Sequence, residues 1–257
     1  MSLPTIESIY RYPVKGLSPE QLHHAALTPG RPIAGDRMYA IENGPSGFDP
    51  AEPRYYPKAR FLMLMKNERL AGLDTQYNDV TNTLTVRLNG KDAAVGDLST
   101  VAGREDIESF FAGYCADELR GAPKVLQAPG HSFSDVAAKV VSIINLASVS
   151  AVENAVGQPV DPLRFRGNLF VSGWPAWREF DLVGKEISIA DTKLKVTKRI
   201  VRCAATNVEP HTGIRDLHIP ETIMQAFGHM DCGVYAEVIH GGDIKPGDEL
   251  HEPKELL

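Results

Sequence analysis

The chain has 257 residues, 43% of them hydrophobic, which is enough to bury a core in one large or two small domains and excludes a disordered chain. Its 27 basic residues stand against 33 acidic ones, for a net charge of -6, which argues against a surface built for nucleic acid but leaves room for a local basic pocket. The three cysteines, Cys115, Cys203 and Cys232, are widely spaced and form no CxxC pair. That pattern argues against a disulfide framework, a structural zinc site or a four-thiolate iron–sulfur cluster held by this chain alone. The start lacks a signal pattern, and no apolar run reaches the ~18 residues of a membrane span. A soluble, cytoplasmic protein without a membrane partner is therefore expected.

In chain order, residues up to about 95 read as short strands. Thr5 to Tyr12 alternates apolar and polar positions until Pro13 interrupts pairing and Lys15-Gly16 opens a loop. Arg37 to Ile41 and Phe61 to Lys66 are apolar runs of strand length, separated by the loop chemistry of Glu42 to Gly47. Asn82 to Leu88 alternates again and ends on Asn89-Gly90, a strong hairpin signal. The spacing of Ile107, Phe110, Phe111, Tyr114 and Leu119 predicts a helix over Asp106 to Leu119, ended by Gly121-Ala122-Pro123. A second β-rich stretch follows. Its predicted strands are Lys124 to Gln127, Ala138 to Ile144, Asn168 to Val171, Glu186 to Ile189, Lys193 to Ile200 and Val234 to Ile239. Helices are predicted over Ala147 to Val156, with Asn145 or Ser148 as cap and Gly157 as stop, and over Pro220 to Phe227 before Gly228. The sum is an α+β, β-dominated protein with barrel-like sheets: an N-terminal β-barrel-like domain at 1–100, a connecting helix at 101–123, and a second barrel-like domain at 124–257.

Four segments carry unusual chemistry at turns: Tyr12-Pro13-Val14-Lys15-Gly16, Gly35-Asp36-Arg37, Arg164-Phe165-Arg166-Gly167-Asn168, and the stretch from Arg202-Cys203 to Pro210-His211-Thr212-Gly213. Singly, each has an ordinary reading: a solvated lysine, a surface ion pair, a strand entry, a small buried cysteine. Taken together and in this order they resemble the MOSC family, the molybdenum-cofactor sulfurase C-terminal domain preceded by its N-terminal β-barrel domain, a layout found in the amidoxime-reducing components. Tyr56-Pro57-Lys58, Phe133-Ser134-Asp135 and Ser142 to Ser148 add to the likeness, which covers nearly the whole chain. The departures are Gly16 where the family often has Ser, Gly167 where Pro is frequent, and Met38 where Trp is frequent.

The resemblance implies a molybdenum cofactor (Mo-molybdopterin), with Cys203 as the metal ligand and the catalytic position. Molybdenum of this class takes a soft thiolate, which persists in an electropositive setting. The cofactor's phosphate needs Lys or Arg, which Lys15, Arg37, Arg164 and Arg166 would supply. Asn145, Ser148 and Asn168 are candidates for the pterin edge, and Thr206 is assigned to the cofactor as well. The implied reaction reduces a small N-hydroxylated compound with electrons from a separate electron-transfer protein. Asp231, Glu209, Asp216 and His211 are candidate proton donors by nearness in sequence. Two other readings stay open: a non-catalytic molybdenum cofactor carrier, and a sulfur carrier through a Cys203 persulfide. The eight histidines show no convincing metal-binding spacing; His23-His24 falls on a predicted surface strand.

Overall fold

The computed structural model describes residues 3–253; the outermost ends of the two units expected at 1–100 and 124–257 lie outside that range. The alternating run at the start forms β1 (Thr5–Arg11), with Ile6 and Ile9 turned into the core. Two short strands follow, β2 (Glu20–Leu22) and β3 (Ala25–Leu27). His23 and His24, expected on a strand, sit exposed at the bend between them.

The expected strand at Arg37 to Ile41 shrinks to β4 (Ala40–Ile41). Arg37 takes a left-handed backbone with φ 50°, and the amides of Arg37 and Tyr39 bond the carbonyls of Tyr12 and Pro13 at 2.7 and 2.9 Å, so this segment straps the loop after β1 instead of extending. Phe61 to Lys66 is no strand either. After one bridge from Phe61 to Glu42 it folds into a turn, with the amides of Lys66 and Asn67 on the Met63 carbonyl. The run is apolar because Phe61, Leu62, Met63 and Leu64 cross a packed interior, not because one strand face is buried.

β5 (Asp74–Asn78), β6 (Thr83–Leu88) and β7 (Lys91–Asp97) form a three-stranded antiparallel sheet. Asn89 and Gly90 join β6 to β7 with φ of 54° and 74°, the signature of a two-residue type I′ turn. Helix α1 (Val101–Tyr114) begins earlier than expected, because the Thr100 hydroxyl accepts from the Gly103 amide at 3.0 Å and caps it. It packs on β7, burying Ile107 and Phe111 against Leu84, Val86 and Leu98.

The rest of the chain supplies β8 (Val125–Leu126), β9 (Val141–Asn145), α2 (Leu146–Val156), β10 (Leu169–Ser172), β11 (Glu186–Ile189), β12 (Thr192–Val201), α3 (Ile219–Phe227), β13 (Asp231–His240), β14 (Gly242–Ile244) and β15 (Leu250–His251). Asn145 caps α2 by accepting from the Ala147 amide at 3.0 Å, and Gly157 ends it in the left-handed region at φ 76°. An eight-stranded sheet runs β15-β11-β12-β13-β9-β10-β1-β2. It curls until its ends meet. The Leu250 amide bonds the Pro4 carbonyl at 2.7 Å, and the Ile6 amide bonds the Asp248 carbonyl at 3.0 Å. Strand β1 of the N-terminal third is thus a stave of the C-terminal barrel. Inward side chains such as Ile9, Ile143, Leu169, Val196 and Val234 fill the barrel. Among the described residues no helix is long and apolar enough to cross a membrane.

Strand alternation then decides what the barrel shows on its outer face. The register sets Lys198 opposite Tyr235 and Tyr235 opposite Ser142, and the Ser142 amide and hydroxyl bond Asn168 Oδ1 at 3.0 and 2.8 Å. This outward row is the floor of the site.

Candidate functional site

Over that floor close the loop after β1, the Asp36-Arg37 turn, the Lys58 turn, Met63 to Met65, Ser134-Asp135, the turn before β10 and the segment after β12, enclosing a cleft of about 320 Å³. That volume is at the lower end of the ~300–1,000 Å³ common for small-molecule sites. Lys15, Arg37, Arg164, Arg166, Asn168, Thr206 and Cys203 all border it.

Asn145 and Ser148 do not, and the pterin contact expected of them is corrected here. Both are fully buried, and their polar atoms are engaged within the protein: Asn145 Nδ2 donates to Glu179 Oε2 at 2.8 Å while its Oδ1 caps α2, and Ser148 Oγ donates to Glu179 Oε1 at 2.8 Å and accepts from the Trp177 amide. Burial pushes the Glu179 carboxyl up, and these donors restrain it. The network ties the start of α2 to the 3-10 turn at Arg178–Leu182. Asn168 and Thr206 border the cleft but are also engaged. Asn168 Nδ2 donates to the Tyr10 carbonyl at 3.1 Å, and Thr206 Oγ1 donates to the Cys203 carbonyl at 3.0 Å. Their work is to shape the floor and the cysteine turn.

Cys203 is the partly exposed member of the three free thiols; Cys115 and Cys232 are buried, which pushes them up to about 11 and about 12, so they remain thiols at neutral pH. Lys58 Nζ lies 3.3 Å from Cys203 Sγ and 3.0 Å from Asp135 Oδ2, and Lys15 Nζ binds the other Asp135 oxygen and the Phe133 carbonyl at 2.9 Å. Desolvation opposes the Asp135 charge, but Lys15 and Lys58 hold its carboxyl well below the usual range. Burial pushes Lys15 down, with Asp135 opposing. Arg202, next to the cysteine, is locked by three backbone contacts: Nη1 on the Phe165 carbonyl at 2.8 Å, Nε on the Cys232 carbonyl at 2.7 Å, and Nη2 on the same oxygen. Lysine could not make this fork, so Arg202 fixes where Cys203 enters the cleft.

Arg164 is buried and holds Asp216 through two bonds of 2.8 and 2.7 Å. Asp216, a candidate proton donor by its place in the sequence, is an ion-pair partner of Arg164. Glu209 accepts the His211 and Thr212 amides at 2.8 and 2.7 Å and shapes their turn. His211 is exposed, and Asp231 faces Arg199 at 4.0 Å. None of these four borders the cleft. The glycine of that turn, Gly213, is explained by packing: with φ 73°, a Cβ there would lie 2.8 Å from the Glu68 carbonyl.

Hydrogen bonds from Arg164 hold the Asp216 carboxyl below its ordinary 3.8. A depressed carboxyl contributes stability above its unfolded pKa and loses it as pH falls through the folded one. Asp216→Asn leaves the buried Arg164 cation without its anion, and about 2 kcal/mol of stability should be lost at pH 7, less than for a fully buried pair because Asp216 is partly solvated. The difference from wild type should close as pH drops below 3.8, as followed by denaturant melts across pH. A pH-independent gap would show that charge is not the cause.

Residue-by-residue reading gave no role to Lys58, Asp135 or Tyr12, although each lies inside a motif singled out above, and it named Arg202 only as a charge beside Cys203, not as the fork that fixes the cysteine. Among the described residues no three His, Cys, Asp or Glu side chains gather as a metal-binding group. A metal held here through Cys203 would need its remaining ligands from a bound molecule. One sulfur at a cation-rich cleft fits a cofactor that brings its own dithiolene and a phosphate, and Arg164, which borders the cleft, has a buried Nε with no partner among the described residues.

Two family models match the chain. Residues 3–114 match the MOSC N-terminal beta barrel domain and residues 128–251 the MOSC domain. Over 121 residues the chain is 26% identical to mitochondrial amidoxime-reducing component 1 of Mus musculus, a match covering 42% of this chain and 35% of that protein. Among solved structures, the YUAD protein from Bacillus subtilis superposes with TM-score 0.46 at 13% identity, covering 97% of this chain and 94% of that one. YiiM from Geobacillus stearothermophilus gives TM-score 0.35 at 21% identity, covering 44% of this chain and 54% of that one. The chain belongs to the MOSC family, with a MOSC N-terminal beta barrel domain ahead of its MOSC domain.

Proposed function

We propose that the cleft holds the molybdenum cofactor with Cys203 as its protein ligand, and that the protein reduces small N-hydroxylated compounds with electrons from a separate electron-transfer protein. The observation that carries the reading is the convergence of cations from separate segments, Lys15, Arg37, Lys58, Arg166 and Arg202 among them, on a cleft where Cys203 offers sulfur. The amidoxime-reducing relative supports the choice of reaction. In this reading Lys15, Arg37 and Arg166 take the phosphate end, and Arg164 braces the turn that carries Arg166. Lys58, held by Asp135, keeps an N–H donor on the Cys203 sulfur. Arg202 and Thr206 fix the cysteine backbone. When bound, the reduced molybdenum centre would supply the two electrons that, together with two protons, convert an N–OH group to N–H and water. Three unpaired cysteines suit a reducing compartment, and we place the protein in the cytoplasm.

The test is metal and pterin analysis of protein from a host that makes the cofactor, followed by turnover of a hydroxylamine or amidoxime with a chemical reductant. Molybdenum with turnover is the expected result. Molybdenum without turnover would favour the non-catalytic carrier. Extra sulfur on Cys203 by mass spectrometry, with no molybdenum, would favour the sulfur carrier.

A further inference from the structure

The Tyr12 side chain is unusual in this site. It is fully buried, its hydroxyl has no partner among the described residues, and two guanidiniums lie over its ring: Arg37 with its central carbon 4.4 Å from the ring centroid and Arg166 at 4.2 Å. These arginines come from segments far apart in sequence, yet they are matched in backbone. Both are non-glycine residues in the left-handed region, with φ of 50° and 49°. Such backbone is uncommon for a residue with a Cβ and gathers at functional sites. They are also tied together, since Arg37 Nη2 donates to the Arg166 carbonyl at 2.9 Å. Arg37 has Asp36 as partner at 2.5 Å, whereas Arg166 pairs with no carboxylate among the described residues and donates Nη2 to the Leu17 carbonyl at 2.9 Å.

Like charges do not gather in this way without a reason. Burial pushes the Arg166 guanidinium down to about 10, and Arg37 adds to the effect. The aromatic face offsets part of that repulsion, because its negative quadrupole attracts both cations. Among the described residues Asp36 is the one carboxylate paired with the two guanidiniums over the ring, so that pair keeps one positive charge in surplus, while Lys15 and Lys58 share Asp135. A phosphate anion meets that surplus. Both arginines border the cleft, and neither Arg37 Nε nor Arg166 Nε and Nη1 is among the buried atoms that lack a partner.

We propose that Tyr12 is a positioning residue: its ring sets Arg37 and Arg166 as a paired clamp for one phosphate group. The inference rests on the reading of the cleft given above and assigns the residue that organises its phosphate end. The hydroxyl takes no part; the flat face does. A tyrosine is tolerated because its unpartnered oxygen costs less than losing the ring.

The experiment titrates inorganic phosphate into the full-length, cofactor-free protein by calorimetry, with wild type, Tyr12→Phe, Tyr12→Met and Arg166→Lys. Wild type should bind phosphate. Tyr12→Phe should bind within about twofold of wild type and melt no lower, since it keeps the ring and removes an unpartnered oxygen. Tyr12→Met should weaken phosphate about tenfold or more. Arg166→Lys keeps the charge but not the plane that lies on the ring, and it should weaken binding by a similar factor. This variant decides the matter if Tyr12→Met does not fold. Wild type that binds no phosphate, Tyr12→Phe as weak as Tyr12→Met, or Arg166→Lys equal to wild type would each overturn the proposal. None of these readings needs molybdenum. Phosphate binding with the expected variant pattern, in protein that never acquires the metal, would sink the molybdenum reading and leave the clamp standing.

Discussion

Cys203→Ser is expected to strip molybdenum from protein made in a cofactor-producing host and to lower turnover by about a hundredfold or more, while the melting temperature moves by less than about 2 °C. The side chain is only partly buried, its sulfur meets Lys58 and the cleft, and the backbone of its turn is held by Thr206 and Arg202. Exchanging sulfur for oxygen therefore leaves packing and backbone in place, which keeps the stability cost within about 0.5 kcal/mol. It replaces a soft ligand with a hard, weakly acidic one, and that is where the loss arises. Elemental analysis against protein concentration, read beside a melting curve, checks both halves. Unchanged molybdenum content would sink the ligand assignment even if activity fell.

The largest effect on folding is expected at a pair of glycines remote from the chemistry. Gly96 on β7 and Gly103 on α1 face each other so closely that a Cβ at Gly96 would lie 2.0 Å from the Gly103 carbonyl oxygen, and one at Gly103 would lie 2.3 Å from the Asp97 carbonyl oxygen. The obstacles are backbone, so no rotamer change relieves them. Gly96→Ala must lift α1 off the three-stranded sheet and loosen Ile107 and Phe111, which are fully buried. A loss of about 3 kcal/mol or more is expected, lowering the melting temperature by roughly 6–12 °C. Gly113→Ala is the control. It sits on the same helix with nothing within 4 Å of its Cβ position, so alanine should raise stability by about 0.5–1 kcal/mol. A Gly96→Ala protein as stable as wild type would mean that α1 does not dock on β7 in this way.

The elements legible in the sequence are those whose signals are local. Asn89-Gly90 permits a left-handed pair and gives the β6–β7 hairpin. Asn145 and Gly157 bracket α2, and Gly228 stops α3. Where sequence reading failed, the cause was a partner far along the chain. Arg37 to Ile41 has strand composition, but its amides bond the loop after β1. Asn145 and Ser148 read as polar groups free for a ligand until Glu179, more than thirty residues later, takes them both. Lys58 and Asp135 gain meaning only from each other and from Cys203, at 3.0 and 3.3 Å.

Two things were determined by the sequence alone: a β-dominated chain, and an inventory of basic turns around one cysteine segment that marks the family. Both follow from short-range chemistry, the period of two in strands and the residue types that turns and anions require. Tertiary structure decided which members of that inventory share a cleft. The closing of β1 into the barrel brings Tyr12 and Lys15 beside Arg166, and the register of β12, β13 and β9 lays the floor between them and Cys203. Such a placement depends on long-range pairing, where a shift of one residue would turn Lys198, Tyr235 and Ser142 inward and leave no floor at all.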